Sequence, residues 1–204
     1  MKLTRLQKEI SIALASFIVV ASLLFSFYQD SQDPASPLGG IGGPFELRGA
    51  DGPVKLKDFR GKIVVLYFGF TFCPDICPTS LADLTRELKN LPQHMRQQIQ
   101  PIFVSVDHLR DTPITAQEYA EHIYERFVGL TGSKEQLKKM TRDYGAYYKI
   151  VPLEDSAMGH TVDHSSRFYV INQKGQVIKT YTEVRNNEEF RQTLKNLAKE
   201  KGWL

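Results

Sequence analysis

The apolar run from Ile63 to Phe70 (IVVLYFGF) constrains the fold of this chain more than any other segment. A continuous stretch of β-branched and aromatic residues at that length suits a strand buried on both faces, at the centre of a sheet. Close behind it comes Cys73-Pro74-Asp75-Ile76-Cys77-Pro78, and these two cysteines are the chain's whole supply. A bridge between them would close almost no loop, so it would add little chain-entropy stabilisation. The pair therefore reads as a redox or soft-metal site at the end of a central strand rather than as a staple.

Elements on either side support a two-period α/β pattern. Phe45–Arg48 and Val54–Leu56 flank a Gly-Ala-Asp-Gly turn and predict a hairpin ahead of the apolar run. Ser80 to Leu91 carries Leu81, Leu84 and Leu88 at helical spacing, and Ile102–Val106 is a second central strand ending at Asp107. Thr112-Pro113 opens a helix through about Phe127, and Val128–Ser133 is a short strand and turn. Ser133 with Gln136 forms a capping box for a third helix. Arg167–Ile171 and Gln176–Tyr181 flank Asn172-Gln173-Lys174-Gly175 as a second hairpin, and Asn187 caps a closing helix to about Lys199. Strand, helix, strand, helix, hairpin and closing helix, with a cysteine pair after the first core strand, is a thioredoxin-like plan. The N-terminal hairpin is an addition to it.

The amino-terminal end reads differently. Ile10 to Tyr28 contains no charged residue and nearly spans a hydrocarbon core of about 30 Å, which predicts a transmembrane signal-anchor over 10–28. A cleaved secretory signal is the alternative, but the run exceeds an ordinary signal core of about 7–15 residues. Lys2, Arg5 and Lys8 precede the run, so residues 1–9 read as a cytoplasmic basic segment, with the rest of the chain on the far side. The expected setting is a single pass through a bacterial inner membrane, with the domain in the periplasm, where disulfides and exchangeable metals are both permitted. Residues 29–44, rich in Gly, Pro, Ser and Asp, read as a flexible linker, and 45–204 as the folded domain. The net charge of +3 falls on the part beyond Pro34, because three basic and three acidic residues precede it. No basic stripe interleaved with aromatics is present, which argues against nucleic-acid binding and leaves weak docking onto an acidic partner open.

Two thiolates bind copper(I) or zinc, and imidazole is their natural third partner. Cys73 and Cys77, spaced i and i+4, are expected at a helix N-terminus and on one helix face, where thiolate is favoured. Of the five histidines, His94 and His122 read as solvated, and His108, after the second core strand, as an outer group. His160 and His164 precede the second hairpin, in the loop that packs on the cysteine loop in a thioredoxin-like plan. His164 is the favoured ligand because it abuts Arg167–Ile171. His160 and Met158 lie farther into what reads as a mobile loop, as surface residues or as a transient soft-ligand arm. Asp107 either tunes a thiol or orients a partner, or caps the turn with Asp111-Thr112-Pro113.

Taken together, these stretches resemble the Sco/SenC copper metallochaperones. The resemblance rests on Gly61-Lys62 through Cys73-Pro74-Asp75-Ile76-Cys77-Pro78-Thr79, Ser105-Val106-Asp107 with Arg110-Asp111-Thr112-Pro113, Gly129-Leu130-Thr131-Gly132, and Val162-Asp163-His164-Ser165. It covers about residues 40–200. It implies that the family's copper ligands fall on Cys73, Cys77 and His164, holding Cu(I) three-coordinate or Cu(II) with one further ligand. It also implies delivery to the binuclear copper site of cytochrome c oxidase subunit II, or preparation of that subunit's cysteines. A copper donor chaperone, a thiol reductant and a membrane anchor go with that role. Phe72 departs from the family, many members of which carry histidine there. The other reading is a periplasmic thiol–disulfide oxidoreductase acting through Cys73 and Cys77 without obligatory copper.

Overall fold

The computed structural model describes Leu14, residues 16–22, 38–154 and 156–203. The chain divides into two units, Met1–Pro34 and Ala35–Leu204. In the first, Leu14 and residues 16–22 are helical and exposed. Most of the expected anchor, all of the basic segment and the first part of the linker lie outside the described residues. Among those described, no helix is long and apolar enough to cross a membrane.

The second unit is built on β3 (Ile63–Gly69), all of whose residues are buried. It pairs in parallel with β4 (Ile99–Ser105) and antiparallel with β8 (Phe168–Ile171). The five-stranded sheet runs β5 (Val128–Leu130), β4, β3, β8, β9 (Val177–Tyr181). This is the expected thioredoxin-like arrangement. The added hairpin is present as β1 (Glu46–Gly49) and β2 (Gly52–Lys55), tied to the sheet through a bridge between Arg48 and Thr131. Residues 38–44 lie on this unit: Leu38 and Ile41 pack against the core, and the Gly42 amide donates to the Asp143 carbonyl at 2.7 Å.

Helices cover the sheet where the spacing of apolar residues predicts them. They are α1 (Ile76–Lys89), the short α2 (Gln93–Arg96), α3 (Pro113–Ile123), α4 (Lys134–Asp143) and α5 (Glu188–Lys199). The Ser133–Gln136 box forms at α4, with Gln136 N donating to Ser133 Oγ at 3.2 Å and Ser133 N to Gln136 Oε1 at 2.9 Å. Asn187 caps α5 through the Phe190 amide. Helix α3 lies so close to β5 that a Cβ on Gly129 would fall 2.2 Å from the Ala116 carbonyl oxygen, so only glycine permits this packing.

One element escapes sequence patterning. β6 (Tyr148–Pro152) and β7 (His160–His164) form a separate antiparallel ribbon where a long irregular segment is expected. HTVDH contains a single apolar residue, Val162, and alternation over so few residues gives a weak strand signal. The ribbon's register, with Tyr148 opposite His164 and Pro152 opposite His160, positions the histidines of the site.

Candidate metal centre

The centre sits where β3 hands over to α1. The Cys73 amide donates to the Phe70 carbonyl at 3.3 Å, turning the chain so that Cys73 precedes the helix and Cys77 enters its first turn. The two therefore do not share a helix face, contrary to the i, i+4 expectation. A residue before proline is disfavoured in helical backbone, so Pro74 keeps Cys73 out of the helix. The sulfurs nevertheless converge. The free Cys77 amide of the first turn donates to Cys73 Sγ at 3.4 Å, an orphan helix donor satisfied by the other cysteine's sulfur. Both cysteines are free thiols; Cys77 is fully buried, while Cys73 retains slight exposure.

Beside them, His164 Nε2 lies 3.3 Å from Cys77 Sγ. The ring is gripped edge-on by Tyr67 and Phe70, at centroid distances of 6.1 and 5.8 Å. Its Nδ1 is buried without a hydrogen-bond partner. Cys73, Cys77 and His164 offer one donor atom each, all within 4.8 Å of one another. Two sulfurs and one nitrogen, with no carboxylate among them, form a donor set for a soft or borderline cation.

The two thiols are electrostatically unequal. A hydrogen bond from Cys77 holds the Cys73 thiol well below its ordinary range, with further help from His164. Cys77 is pushed up because it keeps the shared proton and because it is buried. In the metal-free pair the negative charge is therefore favoured on the outer sulfur. Burial pushes the Tyr67 phenol up to about 12, so it stays protonated beside the pair.

Asp107 serves a different part of the architecture. Its carboxylate is fully buried, accepts from Arg110 Nε at 2.7 Å and is in ion-pair contact with Arg110 Nη2 at the same distance. It also faces His160 Nε2, at 3.0 Å from each oxygen, and accepts from the Leu109 and Arg110 amides at 3.3 Å. Arg110 in turn donates to the Met158 carbonyl at 3.1 Å and lies over the exposed Phe72 ring at 4.8 Å. His160 is therefore not in a mobile loop. It is the first residue of β7, held by Asp107, and the Asp107–Arg110 pair clasps the ribbon to the sheet. Burial alone would raise the Asp107 carboxyl; the bonds from His160 and Arg110 outweigh it and hold it below the ordinary carboxylate range.

Sequence reasoning passed over the second carboxylate. Asp111, read only as a turn residue, is buried and accepts from Thr71 N at 2.9 Å, Thr71 Oγ1 at 2.6 Å and Ser105 Oγ. It pins the start of the cysteine loop to the end of β4. The signal available in the sequence was an acid set among small hydroxyl residues, which is too common to single out. His108 packs edge-on against Tyr148 and is not one of the three converging donors.

Gly69 also belongs to the site. A Cβ there would lie 2.9 Å from both Cys77 Sγ and Phe103 Cε2. Gly69→Ala is expected to destabilise the domain by about 1–3 kcal/mol through overpacking and to displace Cys77. A thermal melt, with the thiol-reaction rate of the native protein, checks this; an unchanged melting temperature contradicts the packing.

Comparison with known proteins bears on this geometry. The SCO1/SenC family pattern matches residues 34–199. The chain is 35% identical to the SCO2-like protein of Rickettsia conorii over 195 residues, covering 88% of this chain and 95% of that one. Copper-bound ScoI of Arabidopsis thaliana superposes with a TM-score of 0.69 at 35% identity, over 78% of this chain and 99% of that one. Copper-bound yeast Sco1 gives 0.68 at 31% identity, over 84% and 91%.

Proposed function

The chain belongs to the SCO1/SenC family, and on that footing we propose that it is a copper-binding assembly factor. It holds copper on Cys73, Cys77 and His164 and delivers it to the binuclear copper site of cytochrome c oxidase subunit II, or prepares that subunit's cysteines. The observation that carries this reading is the convergence of two sulfurs and an imidazole nitrogen within 4.8 Å. Support also comes from the copper-bound relatives named above.

A three-donor shell leaves Cu(I) open to attack by an incoming ligand, which suits a carrier. Cys73 is the less buried sulfur and is the one from which copper leaves or at which a recipient thiol attacks. In this reading residues 10–28 anchor the domain in a bacterial inner membrane, the part of the 29–44 linker before Leu38 tethers it, and the domain works in the periplasm. The near end-to-end match to a Rickettsia relative supports the bacterial setting. A copper donor chaperone loads the site and a thiol reductant keeps the cysteines reduced.

A second reading uses the same sulfurs without copper. The Cys73 thiolate attacks an oxidised partner, and Cys77 resolves the mixed disulfide once it loses its proton. The charge inequality of the pair favours this chemistry in the metal-free protein.

X-ray absorption on the full-length, copper(I)-loaded chain tests the first reading. Two sulfur donors and one nitrogen donor are expected; failure to form a stable copper complex overturns it. Because the metal-free pair holds one proton, Cu(I) binding near pH 7 is expected to release about one proton rather than about two. Calorimetry in buffers of different ionisation enthalpy counts it.

A further inference from the structure

We propose that the groove beside the metal centre docks an acidic protein surface bearing a central apolar side chain, on the protein that receives the copper; this rests on the copper-transfer reading. The groove is a cavity of about 460 Å³ between the turn after β4, the start of α4 and strand β6. Its floor is apolar: Leu109, 64% exposed, lies there with Tyr148 and Ile150. Its rim is basic, with Lys134 and Lys138 one helical turn apart on α4 and Lys149 on β6.

These lysines differ from others nearby. Lys139, on the same helix, is paired with Asp143 at 2.5 Å, and Lys55 with Glu46 at 2.9 Å. Among the described residues no carboxylate lies in ion-pair range of Lys134, Lys138 or Lys149. The acids closest to the rim are Glu135, which follows Lys134, and Asp163, opposite Lys149 in the ribbon register. Neither lines the groove; the Glu135 carboxyl is bonded at the start of α4 by its own amide and Ser133 with a lesser attraction to Lys134, and Asp163 shares a ribbon face with Lys149 without forming an ion pair.

Position makes the groove relevant to transfer. Tyr148 stands directly opposite His164 across the ribbon, so the two side chains share a face. Leu109 follows within two residues of Asp107, whose partner His160 begins the same strand. Exposed Phe72 and Ile76 flank the cysteine loop on either side of Cys73. An occupant of the groove therefore lies against the ribbon that carries His164. Basic side chains around an apolar floor match an acidic, apolar-centred surface, and such charge complementarity speeds encounter without tight binding. A carrier that must release its partner gains from that balance.

The test uses full-length protein in detergent and the purified copper-site domain of subunit II from the same organism. The triple variant K134E/K138E/K149E is expected to bind Cu(I) with unchanged affinity. Its rate of copper transfer is expected to fall about 10-fold at low ionic strength and to converge on wild type in high salt. The triple glutamine variant, with a smaller fall, serves if charge reversal unfolds the domain. Wild-type and variant rates that coincide at all salt concentrations overturn the inference, as does a salt-independent wild-type rate. So does a fall that free glutamate or inorganic phosphate reproduces by occupying the groove of wild type at low concentration, since that marks a small-anion site. Failure of the copper reading is separate and shows in the titration itself. If wild type binds no copper yet docks the recipient domain in a lysine- and salt-dependent way, the groove stands and serves thiol exchange.

Discussion

Replacing His164 with alanine is expected to weaken Cu(I) binding at least about 100-fold, beyond the loss typical when only an outer support of a metal ligand is removed. The imidazole is held 3.3 Å from Cys77 Sγ by two aromatic edges, so the variant loses a prepositioned donor and retains both sulfurs. Cys73→Ser and Cys77→Ser are each expected to abolish stable binding, because hydroxyl is a poor donor for Cu(I). Competition with a chelator of known affinity measures all three. An unchanged affinity in His164→Ala removes the histidine from the ligand set. Retained disulfide exchange in that variant, with copper binding lost, would separate the two chemistries of the cysteine pair.

Asp107→Ala is expected to destabilise the domain by about 3 kcal/mol, since it strands Arg110 and His160 without their buried partner. The effect should reach the metal centre. His160 and His164 lie on the same face of β7, two alternations apart, and release of the first loosens the second. Copper affinity should therefore fall although Asp107 touches no donor atom. The sign of the pH dependence follows from the carboxyl's lowered pKa in the folded state. Its contribution is complete above the unfolded value of about 3.9 and disappears as pH falls through the lower folded value. Wild type should lose stability over that acid range, and Asp107→Asn should lack that part of the dependence. Denaturant midpoints from pH 6 down to pH 2 decide it; parallel curves for the two proteins overturn the assignment.

Much of this arrangement was legible from residue order. A central strand without polar residues, capped helices and a hairpin around Asn172–Gly175 are local or near-local signals, and each appears close to its expected place. The boundaries moved where local chemistry competes. Helix α1 begins at Ile76 rather than near Ser80, because the cysteine loop's prolines permit a helical start that leucine spacing alone does not reveal. The β6–β7 ribbon was illegible for the opposite reason. Its stability comes from Val162 meeting the core and from His160 meeting Asp107, contacts that join residues far apart in the chain.

The cysteine pair and its proximity to a buried strand were thus determined by the sequence, since local order limits where the two thiols can gather, and the sequence favoured His164 over His160 for its place beside Arg167–Ile171. Tertiary structure alone decided that Cys73 stands outside the helix as the less buried sulfur, where its thiol is lowered, and that Cys77 is buried, where its thiol is raised. It also decided that Asp107 grips the histidine strand and that three lysines, none in an ion pair among the described residues, line a groove against the ribbon. Those outcomes depend on burial and on distances between residues remote in sequence, which no local pattern encodes.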